Sequence, residues 1–417
     1  MIWVKRIGLL IFLLLLLVAA MLAYVTMTNG GMQRMFSLSQ SYLTEELTIG
    51  KVEGKLVGPG SFENISFKNA AGMEVEVNSV KYDWQPKQLF SRKLSVDRLA
   101  VDGVTVRLPK AKPSSGKSSS EPFQLKDLRI PFAVEAESFA FTDLKIYPPG
   151  ADEPFIIDEV LLRAGGEEDE LRLVELSAKA PQGSLRLGGN LNTSGDWPVE
   201  LDSDWQFNHK QFGKFTGKGT VNGDLQSLKV QHEVEGFVNA KVDLDVADVT
   251  GKLSWDGTIE ASSDDLGVAS EALGGIPFTL ATKTQGNLEN YSANGRLTTD
   301  HEQTGPLQTD FNLTGDLNQI EFTDSTVQFE QSTTELAYRG TVELSTLEAD
   351  LTIDWKELEY PLVTEPALVL SPSGSLHFTG TAVDYNVELN TKVQQELAGE
   401  LNVMSVSYTH LTLPTKA

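Results

Sequence analysis

The sequence contains no cysteine among its 417 residues. Thiol catalysis, disulfide bonds and Cys-ligated metal sites are therefore excluded together. The absence leaves the compartment open, because reducing and oxidising compartments both contain chains without cysteine. Basic residues are also scarce, since 34 Lys and Arg stand against 58 Asp and Glu, a net charge of −24. This excess of acid argues against a nucleic-acid partner and against docking on an anionic membrane surface.

Motifs of catalysis are missing as well. No HExxH, GxSxG or GxxxxGK[ST] pattern occurs. The acidic run at 167–170 lacks the spaced ligands and the glycine of a calcium-binding EF-hand loop. The histidines are far apart along the chain, at His209, His232, His301, His377 and His410. The sequence therefore predicts a protein that is not an enzyme and that uses no metal or cofactor. A hydrolase assembled from distant His and Asp side chains is the alternative.

Charge is absent from Ile7 to Val25. As a helix at about 1.5 Å per residue, this stretch spans about 28 Å, close to the hydrocarbon thickness of a bilayer. The basic residues before it predict residues 1–6 in the cytoplasm and the rest of the chain across the membrane. The predicted anchor residues are Lys5, Arg6, Leu9, Leu13, Leu17 and Val25. A cleavable signal peptide ending near Ala20 is the alternative. Apolar character that continues past Ala20 favours an uncleaved anchor at 7–25.

A short amphipathic helix is predicted within 30–48, where apolar residues such as Met32 and Phe36 recur at helical spacing. We expect this helix to cap the open end of the structure that follows. The alternative is an interfacial helix on the outer leaflet.

From residue 49 onward the apolar period changes from 3.6 to 2, which indicates strands with one dry face. Acidic residues such as Asp243 and Asp354 lie at the intervening positions, on the wet face. The apolar residues that we single out as candidates for the dry face are Val75, Val77, Val104, Val106, Val242, Leu244, Val246, Leu351 and Ile353.

Short turn signals lie between the alternating segments and favour antiparallel hairpins. They are Asn29-Gly30, Asp102-Gly103, Asn222-Gly223, Asp256-Gly257 and the Gly-Gly pairs that begin at 165, 188 and 274. A weak recurrence supports hairpins, because Gly223-Asp224-Leu225, Gly286-Asn287-Leu288 and Gly315-Asp316-Leu317 each precede an alternating segment. The Ser, Lys and Pro segment 109–122 has no large apolar residue and predicts a mobile surface loop.

The dry face needs a cover, yet amphipathic helices are short beyond residue 121, with the segment near Asp264 as the best candidate. If a sheet covers the dry face, three folds are possible. They are a series of β-sandwiches, a closed barrel, or one long sheet folded lengthwise around an apolar groove. A groove tethered to a membrane would let acyl chains enter from the bilayer and travel along the dry face. We therefore predict a mainly β fold: an N-terminal transmembrane helix and then an elongated, lengthwise-folded antiparallel groove, a β-taco, over 49–404. A structural or adhesive array of β-sandwiches is the alternative.

Three segments carry a resemblance to a known family. Residues 47–69 (LTIGKVEGKLVGPGSFENISFKN) and 77–110, which begin VNSVKYDWQPKQLF, follow the apolar stretch and the short helix. Residues 171–205 add an apolar strand, a Gln-Gly turn, a strand ending in glycine and a Trp-Pro strand. This arrangement resembles the start of the TamB family, the inner-membrane subunits of the translocation and assembly module of Gram-negative bacteria.

The resemblance implies a single-pass inner-membrane protein with a periplasmic β-groove, related to AsmA-like and bridge-like lipid transfer proteins. It implies phospholipid movement between the two membranes, outer-membrane protein assembly, and a TamA-like barrel partner of the Omp85 class. Family members bind that partner through a C-terminal portion that the chain lacks, so partner binding is assigned to no residue here. Residues 405–417 resemble translated adaptor sequence, and we expect them to be a non-native tail on a fragment.

Overall fold

The computed structural model describes residues 26–40, 46–69, 71–109, 127–268, 274–302, 304–363, 368–381, 384–395 and 399–409. The predicted anchor at 7–25 and its flanking residues Lys5 and Arg6 lie outside these ranges. Among the residues that the structure does describe, no helix has the length and the apolar character needed to cross a membrane. The chain divides into two units, Met1–Phe207 and Asn208–Ala417.

The described part of the first unit contains an α-helix, a 3₁₀ turn and a series of strands. The helix is α1 (Asn29–Gln40), and a 3₁₀ turn spans Pro86–Ser91. The strands are β1 (Glu46–Gly54), β2 (Gly60–Lys68), β3 (Glu74–Trp84), β4 (Lys93–Arg107), β5 (Ile130–Tyr147), β6 (Phe155–Glu168), β7 (Glu170–Ala180), β8 (Gly183–Asn192) and β9 (Val199–His209).

Each strand of the first unit pairs with the next one along the chain, and β4 with β5 is a parallel pair. The other pairs from β1 to β9 are antiparallel. Parallel neighbours need a long crossover, whereas a hairpin needs only a tight turn. Residues 108–129 provide that crossover, and they include the predicted loop 109–122, of which 110–122 lie outside the described residues. The antiparallel pairing that the turn signals favour therefore holds for the other pairs of this unit but not for β4 with β5.

The second unit is a run of antiparallel neighbours from β10 to β22. Its strands are β10 (Gly213–Gly223), β11 (Ser227–Glu235), β12 (Asn239–Ala247), β13 (Ser254–Ser263), β14 (Phe278–Asn287), β15 (Tyr291–His301), β16 (Gly305–Gly315), β17 (Gln319–Phe329), β18 (Glu335–Glu343), β19 (Ala349–Tyr360), β20 (Val369–Gly380), β21 (Tyr385–Gln395) and β22 (Gly399–Thr409). The mainly β prediction is confirmed. Near Asp264 the structure has a 3₁₀ turn, Leu266–Val268, and 269–273 lie outside the described residues.

The recurring Gly-Asp/Asn-Leu tripeptides form hairpin turns of one kind. In the turn between β10 and β11, Oδ1 of Asp224 accepts hydrogen bonds of 2.9 Å from the backbone N–H groups of Gln226 and Ser227. Oδ1 of Asn287 and Oδ1 of Asp316 make the equivalent pairs of bonds in the turns after β14 and β16. A carboxylate or amide that bonds to backbone N–H groups two and three residues ahead stabilises a tight turn. The recurrence in the sequence predicted these hairpins correctly.

Other glycine signals predicted turns at the wrong places. Asp102-Gly103 lies inside β4 and Asp256-Gly257 lies inside β13. The Gly-Gly pairs at 165 and 188 lie inside β6 and β8. Glycine within a strand permits a bend or the close approach of a neighbour. A Cβ atom at Gly257 would overlap the backbone of Asp243 on the adjacent strand, so this glycine serves packing and not a turn.

A line of backbone irregularities crosses the first unit. Asn64, Gly103 and Asp143 have φ of 56°, 68° and 51°, and the registers align them with one another through Asn78 of β3. On one side of this line the apolar positions of β3 are Val75 and Val77, and on the other side they are the even-numbered Val80 and Tyr82. The line therefore shifts the alternating pattern by one residue while the apolar side chains stay in shared cross-strand positions.

Buried apolar side chains are few in the described part of the chain: Met32, Val101, Ala136 and Trp355. Helix α1 covers part of the first unit, where Met32 is fully buried and Phe36 contacts Phe62 edge to face at 4.9 Å. The hydroxyl of Tyr82 lies 3.6 Å from Sδ of Met32 and donates to the carbonyl of Lys55. The predicted cap within 30–48 thus forms a helix at 29–40, with 41–45 outside the described residues and β1 starting at Glu46.

Candidate functional site: an open apolar face

The predicted apolar residues of the first unit lie next to one another. Val75 is paired with Phe67 and Val106, and Val77 is paired with Ile65 and Val104. Directly opposed residues of neighbouring strands share one face of a sheet. One row therefore consists of Leu47, Phe67, Val75, Val106, Ile146 and Phe155, and the adjacent row consists of Ile49, Ile65, Val77, Val104, Leu144 and Ile157.

The second unit has longer rows of the same kind. Leu244 and Leu351 belong to one of them, which we call the Leu244 row, and Val246 belongs to the next, which we call the Trp255 row. The Leu244 row consists of Val221, Val230, Leu244, Gly257, Thr284, Ala293, Leu313, Phe322, Gly340, Leu351, Phe378 and Val387. The Trp255 row consists of Gly223, Leu228, Val246, Trp255, Gly286, Tyr291, Gly315, Ile320, Val342, Ala349, Gly380 and Tyr385.

The two remaining candidates lie on the same face, beside the Leu244 row. Val242 is paired with His232 and Ile259. Ile353 is paired with Tyr338 and Leu376. None of the twelve residues in the Leu244 row or of the twelve in the Trp255 row is charged. The second unit thus carries an apolar face, unbroken by charge, from β10 to β21.

Charged residues occupy the opposite face. Between the positions of the Leu244 and Trp255 rows, on the other side of the sheet, lie Lys229, Asp245, Asp256, Gln285, Ser292, Thr314, Glu321, Thr341 and Asp350. Ion pairs form between neighbouring strands on this face, with Arg296 to Asp310 and Arg339 to Asp354 both at 2.7 Å. Such solvent-exposed pairs contribute little to the stability of the fold. Their main effect is to keep one face hydrated and the other free of charge.

Hydrogen bonds lower the pKa of two carboxyl groups on this polar face. The Lys229 ammonium and the Gln231 amide both donate to Asp243, and these bonds hold the pKa of its carboxyl below the ordinary value. The Arg296 guanidinium lowers the pKa of the Asp310 carboxyl in the same way. These carboxylates therefore stay ionised at neutral pH and remain on the solvated side of the sheet.

The apolar face is open. Leu244, Val246, Leu351 and Ile353 are all only half-buried, as are the valines at 75, 77, 104, 106 and 242. A β-sandwich would bury such a face completely against a second sheet. Among the described residues of the second unit, Trp355 is the only apolar side chain that is buried. This openness disagrees with the alternative of packed β-sandwich domains.

Polar atoms on the apolar face are paired locally. The indole Nε1 of Trp255 donates to the hydroxyl of Thr284 at 3.1 Å. Nε1 of Trp355 donates to the hydroxyl of Ser371 at 2.8 Å, and that hydroxyl lies 2.8 Å from Oγ1 of Thr391. A hydroxyl held by a neighbour on the same face lets an indole lie there without an unpaired N–H group.

Sequence reasoning missed many members of these rows because small or hydroxylated residues interrupt the alternation. Gly257 and Thr284 stand in the Leu244 row where an apolar side chain would be expected. Several glycines make room for aromatic rings, and a Cβ atom at Gly374 would overlap the ring of Trp355, as one at Gly60 would overlap Tyr82. Glycine opposite an aromatic residue is the signal that could have identified these positions.

The histidines give no support to the hydrolase alternative. Nδ1 of His209 accepts backbone hydrogen bonds from Gln211 and Phe212. His232 shares the apolar face with Val242, and His377 pairs with the exposed carboxylate of Asp350. In the part of the chain that the structure covers, no group of three or more His, Cys, Asp or Glu side chains is arranged to hold a metal ion.

The strands and their faces together define a class of protein: in each unit, a series of mostly antiparallel β-strands with one charged face and one open apolar face. The family model described as TamB, N-terminal domain, matches residues 15–125 and 117–344. The chain belongs to the TamB family, a family of membrane-associated bacterial proteins that is not known for enzymatic activity. Comparison with curated proteins gave no significant match, and neither did comparison with solved structures.

Proposed function

We propose that this protein is a membrane-anchored conduit whose apolar rows bind the acyl chains of phospholipids. In this role it would support lipid transport between the inner and outer membranes and, with it, the assembly of outer-membrane proteins. The observation that carries the proposal is the uncharged and half-exposed face of the second unit, which includes Leu244 and Leu351 in one row.

Energetics explain why continuity of this face matters. Each methylene group transferred from water to apolar surroundings gains about 0.8 kcal/mol, so a two-chain lipid leaves a membrane only along an apolar path. A single charged side chain in that path would have to be desolvated each time a chain passed it. The charged residues of the described strands stand instead on the opposite face, where a headgroup and water meet them.

We further propose that the sheet folds lengthwise, so that the apolar face lines a groove and the acidic face points to solvent. The openness of the rows supports this arrangement over a sandwich, because a lining must stay accessible to its cargo. Monomeric proteins seldom leave such large apolar surfaces exposed unless a ligand or partner uses them.

Family membership and the uncharged stretch in the sequence support a proposal for the location and the partner. We propose residues 7–25 as an uncleaved anchor in the inner membrane of a Gram-negative bacterium, with 1–6 in the cytoplasm and the chain beyond it in the periplasm. The proposed outer-membrane partner is a TamA-like barrel of the Omp85 class. We assign the binding of this partner to no residue of the chain. In the structure, residues 405–409 continue β22.

A photo-crosslinking experiment tests the conduit. A photoreactive amino acid is placed at Leu244 or Ile353 in cells, and at Asp245 or Asp354 as matched controls on the opposite face of the same strands. We expect attached phospholipid at Leu244 and Ile353 and little at the acidic positions. Equal labelling of both faces, or labelling of the acidic positions alone, would overturn the proposal.

A further inference from the structure

One edge of the first unit differs from the rest of the molecule in charge and in exposure. It is formed by Thr26–Gly30, the β1–β2 turn Lys55–Pro59 and the 3₁₀ segment Pro86–Arg92, which we call the basic edge. These segments carry three cations, Lys55, Lys87 and Arg92, and no acidic residue. The chain as a whole has a net charge of −24, so this local balance is unusual for it.

Hydrogen bonds hold the three segments together. The backbone N–H of Val57 donates to the carbonyl of Thr26 at 2.9 Å. The indole of Trp84, at the end of β3, donates to the carbonyl of Leu56 at 2.9 Å. The two turns therefore lie at the same end of neighbouring strands, with residue 26 fixed against them.

The 3₁₀ segment presents two apolar side chains to solvent. Phe90 is 93% exposed and Leu89 is 47% exposed, and Met27 on the neighbouring segment is 55% exposed. The backbone of the segment is held by bonds of 3.0 Å from Gln88 to Gln85 and from Arg92 to Leu89. Exposed apolar side chains that are grouped together and rimmed by polar residues mark a surface that contacts a protein or a membrane.

We propose that the basic edge rests in the headgroup layer of a phospholipid bilayer, with Phe90 and Leu89 inserted to the acyl boundary and Lys55, Lys87 and Arg92 near phosphates. Aromatic residues flanked by Lys and Arg are typical of membrane interfaces. The position of Thr26 favours a membrane over a protein partner, because the uncharged stretch 7–25 ends one residue before it. This inference rests on the proposed anchor and adds a second, peripheral contact to it.

The lack of native cysteine allows a direct test in the full chain. Phe90→Cys carries an environment-sensitive fluorophore, and the protein is reconstituted into vesicles of phosphatidylethanolamine and phosphatidylglycerol. Leu317→Cys is the matched control, since Leu317 is 68% exposed at a hairpin tip beside Asp316. We expect lipids with a shallow nitroxide quencher to reduce emission at position 90 by about twofold or more and to leave position 317 unchanged.

The same vesicles test whether the cations of the basic edge are needed and whether a protein partner occupies it. Lys55→Glu combined with Lys87→Glu should restore most of the emission at position 90 without releasing the chain from the vesicles. Equal quenching at positions 90 and 317, or none at either, overturns the inference. Protection of position 90 that requires added membrane proteins assigns the edge to a protein partner and also overturns it.

Failure here and failure of the proposed function give different results. The chain can float with vesicles and crosslink lipid at Leu244 while position 90 is not quenched. In that case the proposed membrane contact of the basic edge is wrong and the proposed lipid conduit is still supported. If the chain does not float with vesicles, the anchor is wrong, and the inference that rests on it is overturned as well.

Discussion

The indole N–H of Trp355 donates a hydrogen bond of 2.8 Å to the hydroxyl of Ser371 on the adjacent strand. Both side chains are buried, which is rare on this molecule. The pair shows how a wide aromatic residue is accommodated on an apolar face: its polar atom is satisfied by a neighbour, and its ring lies over Gly374.

Removing the hydroxyl should destabilise the second unit. Ser371→Ala leaves the buried indole N–H without its acceptor, at a cost of about 1–3 kcal/mol. We expect a lower urea midpoint, measured by Trp fluorescence and circular dichroism. Ser95→Ala is the matched control, because the buried hydroxyl of Ser95 has no hydrogen-bond partner among the described residues. An equal loss in both variants would show that the bond to Trp355 is not the cause.

A methyl group at Gly374 should displace the indole above it. Gly374→Ala places a Cβ atom inside the ring of Trp355, and overpacking of this kind costs about 1–3 kcal/mol. Gly188→Ala is the control, since its new Cβ meets nothing closer than 3.6 Å. We expect near-wild-type stability for Gly188→Ala and a lowered urea midpoint for Gly374→Ala. Similar midpoints would contradict the close approach of ring and backbone.

A charge in the Leu244 row should block lipid binding. Leu244→Arg puts a guanidinium where an acyl chain would pass, and its desolvation would oppose passage. The readout is lipid crosslinked at Ile353 in the same protein. Asp256→Arg is the control, because it adds the same side chain to the opposite face beside Asp245. We expect loss of crosslinking only in Leu244→Arg, and retention in both variants would argue against a continuous path.

Lowering the pH should reduce the contribution of Asp243, on the polar face, to the stability of the fold. The pKa of Asp243 in the folded protein lies below its ordinary value of 3.8, because Lys229 and Gln231 donate to the carboxylate. A carboxyl with a lowered folded pKa stabilises the fold at higher pH, and that stability is lost as pH falls from about 4 through the folded pKa. Asp243→Asn should therefore lower the urea midpoint at pH 7, and the difference from wild type should shrink as the pH falls below about 4. Asp256→Asn removes a carboxylate that has no ion pair among the described residues and is the control for the loss of a charge on the same face.

Shortening a buried side chain of α1 should loosen the contact between this helix and the first strands. Met32→Ala removes a fully buried side chain next to Tyr82, at a cost of about 2–5 kcal/mol. We expect faster proteolysis near α1 and β1. Met27→Ala, at a 55% exposed position, should leave the cleavage rate unchanged. Equal rates in the two variants would mean that α1 is not held by Met32.

Much of the fold could be predicted from alternation alone. The pattern around Val242, Leu244 and Val246 has period 2 and forms β12 with those side chains on one face. Charges at the intervening positions make the choice of face unambiguous, because a slip by one residue would bury Asp243 and Asp245. The candidate residues in both units therefore share their rows with apolar partners from the neighbouring strands.

Features that depend on pairing between distant residues could not be predicted. The parallel pairing of β4 with β5 joins strands that 22 residues separate in sequence, and alternation within each strand does not tell parallel from antiparallel neighbours. Gly103 and Gly257 look like turn residues in sequence but lie inside strands. Gly103 has a positive φ there, and Gly257 allows the close approach of the neighbouring strand. The apolar role of Thr284 and Gly286 becomes evident only when the registers place them beside Gly257 and Trp255.

The order of pairing in the second unit also bears on how such a protein can change length. Each strand there contacts the strands just before and after it, so one hairpin can be removed without rerouting the chain. Deletion of β14 and β15 would bring β13 against β16, and Trp255 would then face Gly315 in place of Gly286. The substitute is again a glycine, which leaves room for the indole ring, while the deletion also removes Thr284, the acceptor of the indole N–H. The length of such a chain can therefore change by whole hairpins while the apolar residues stay on one face of the sheet.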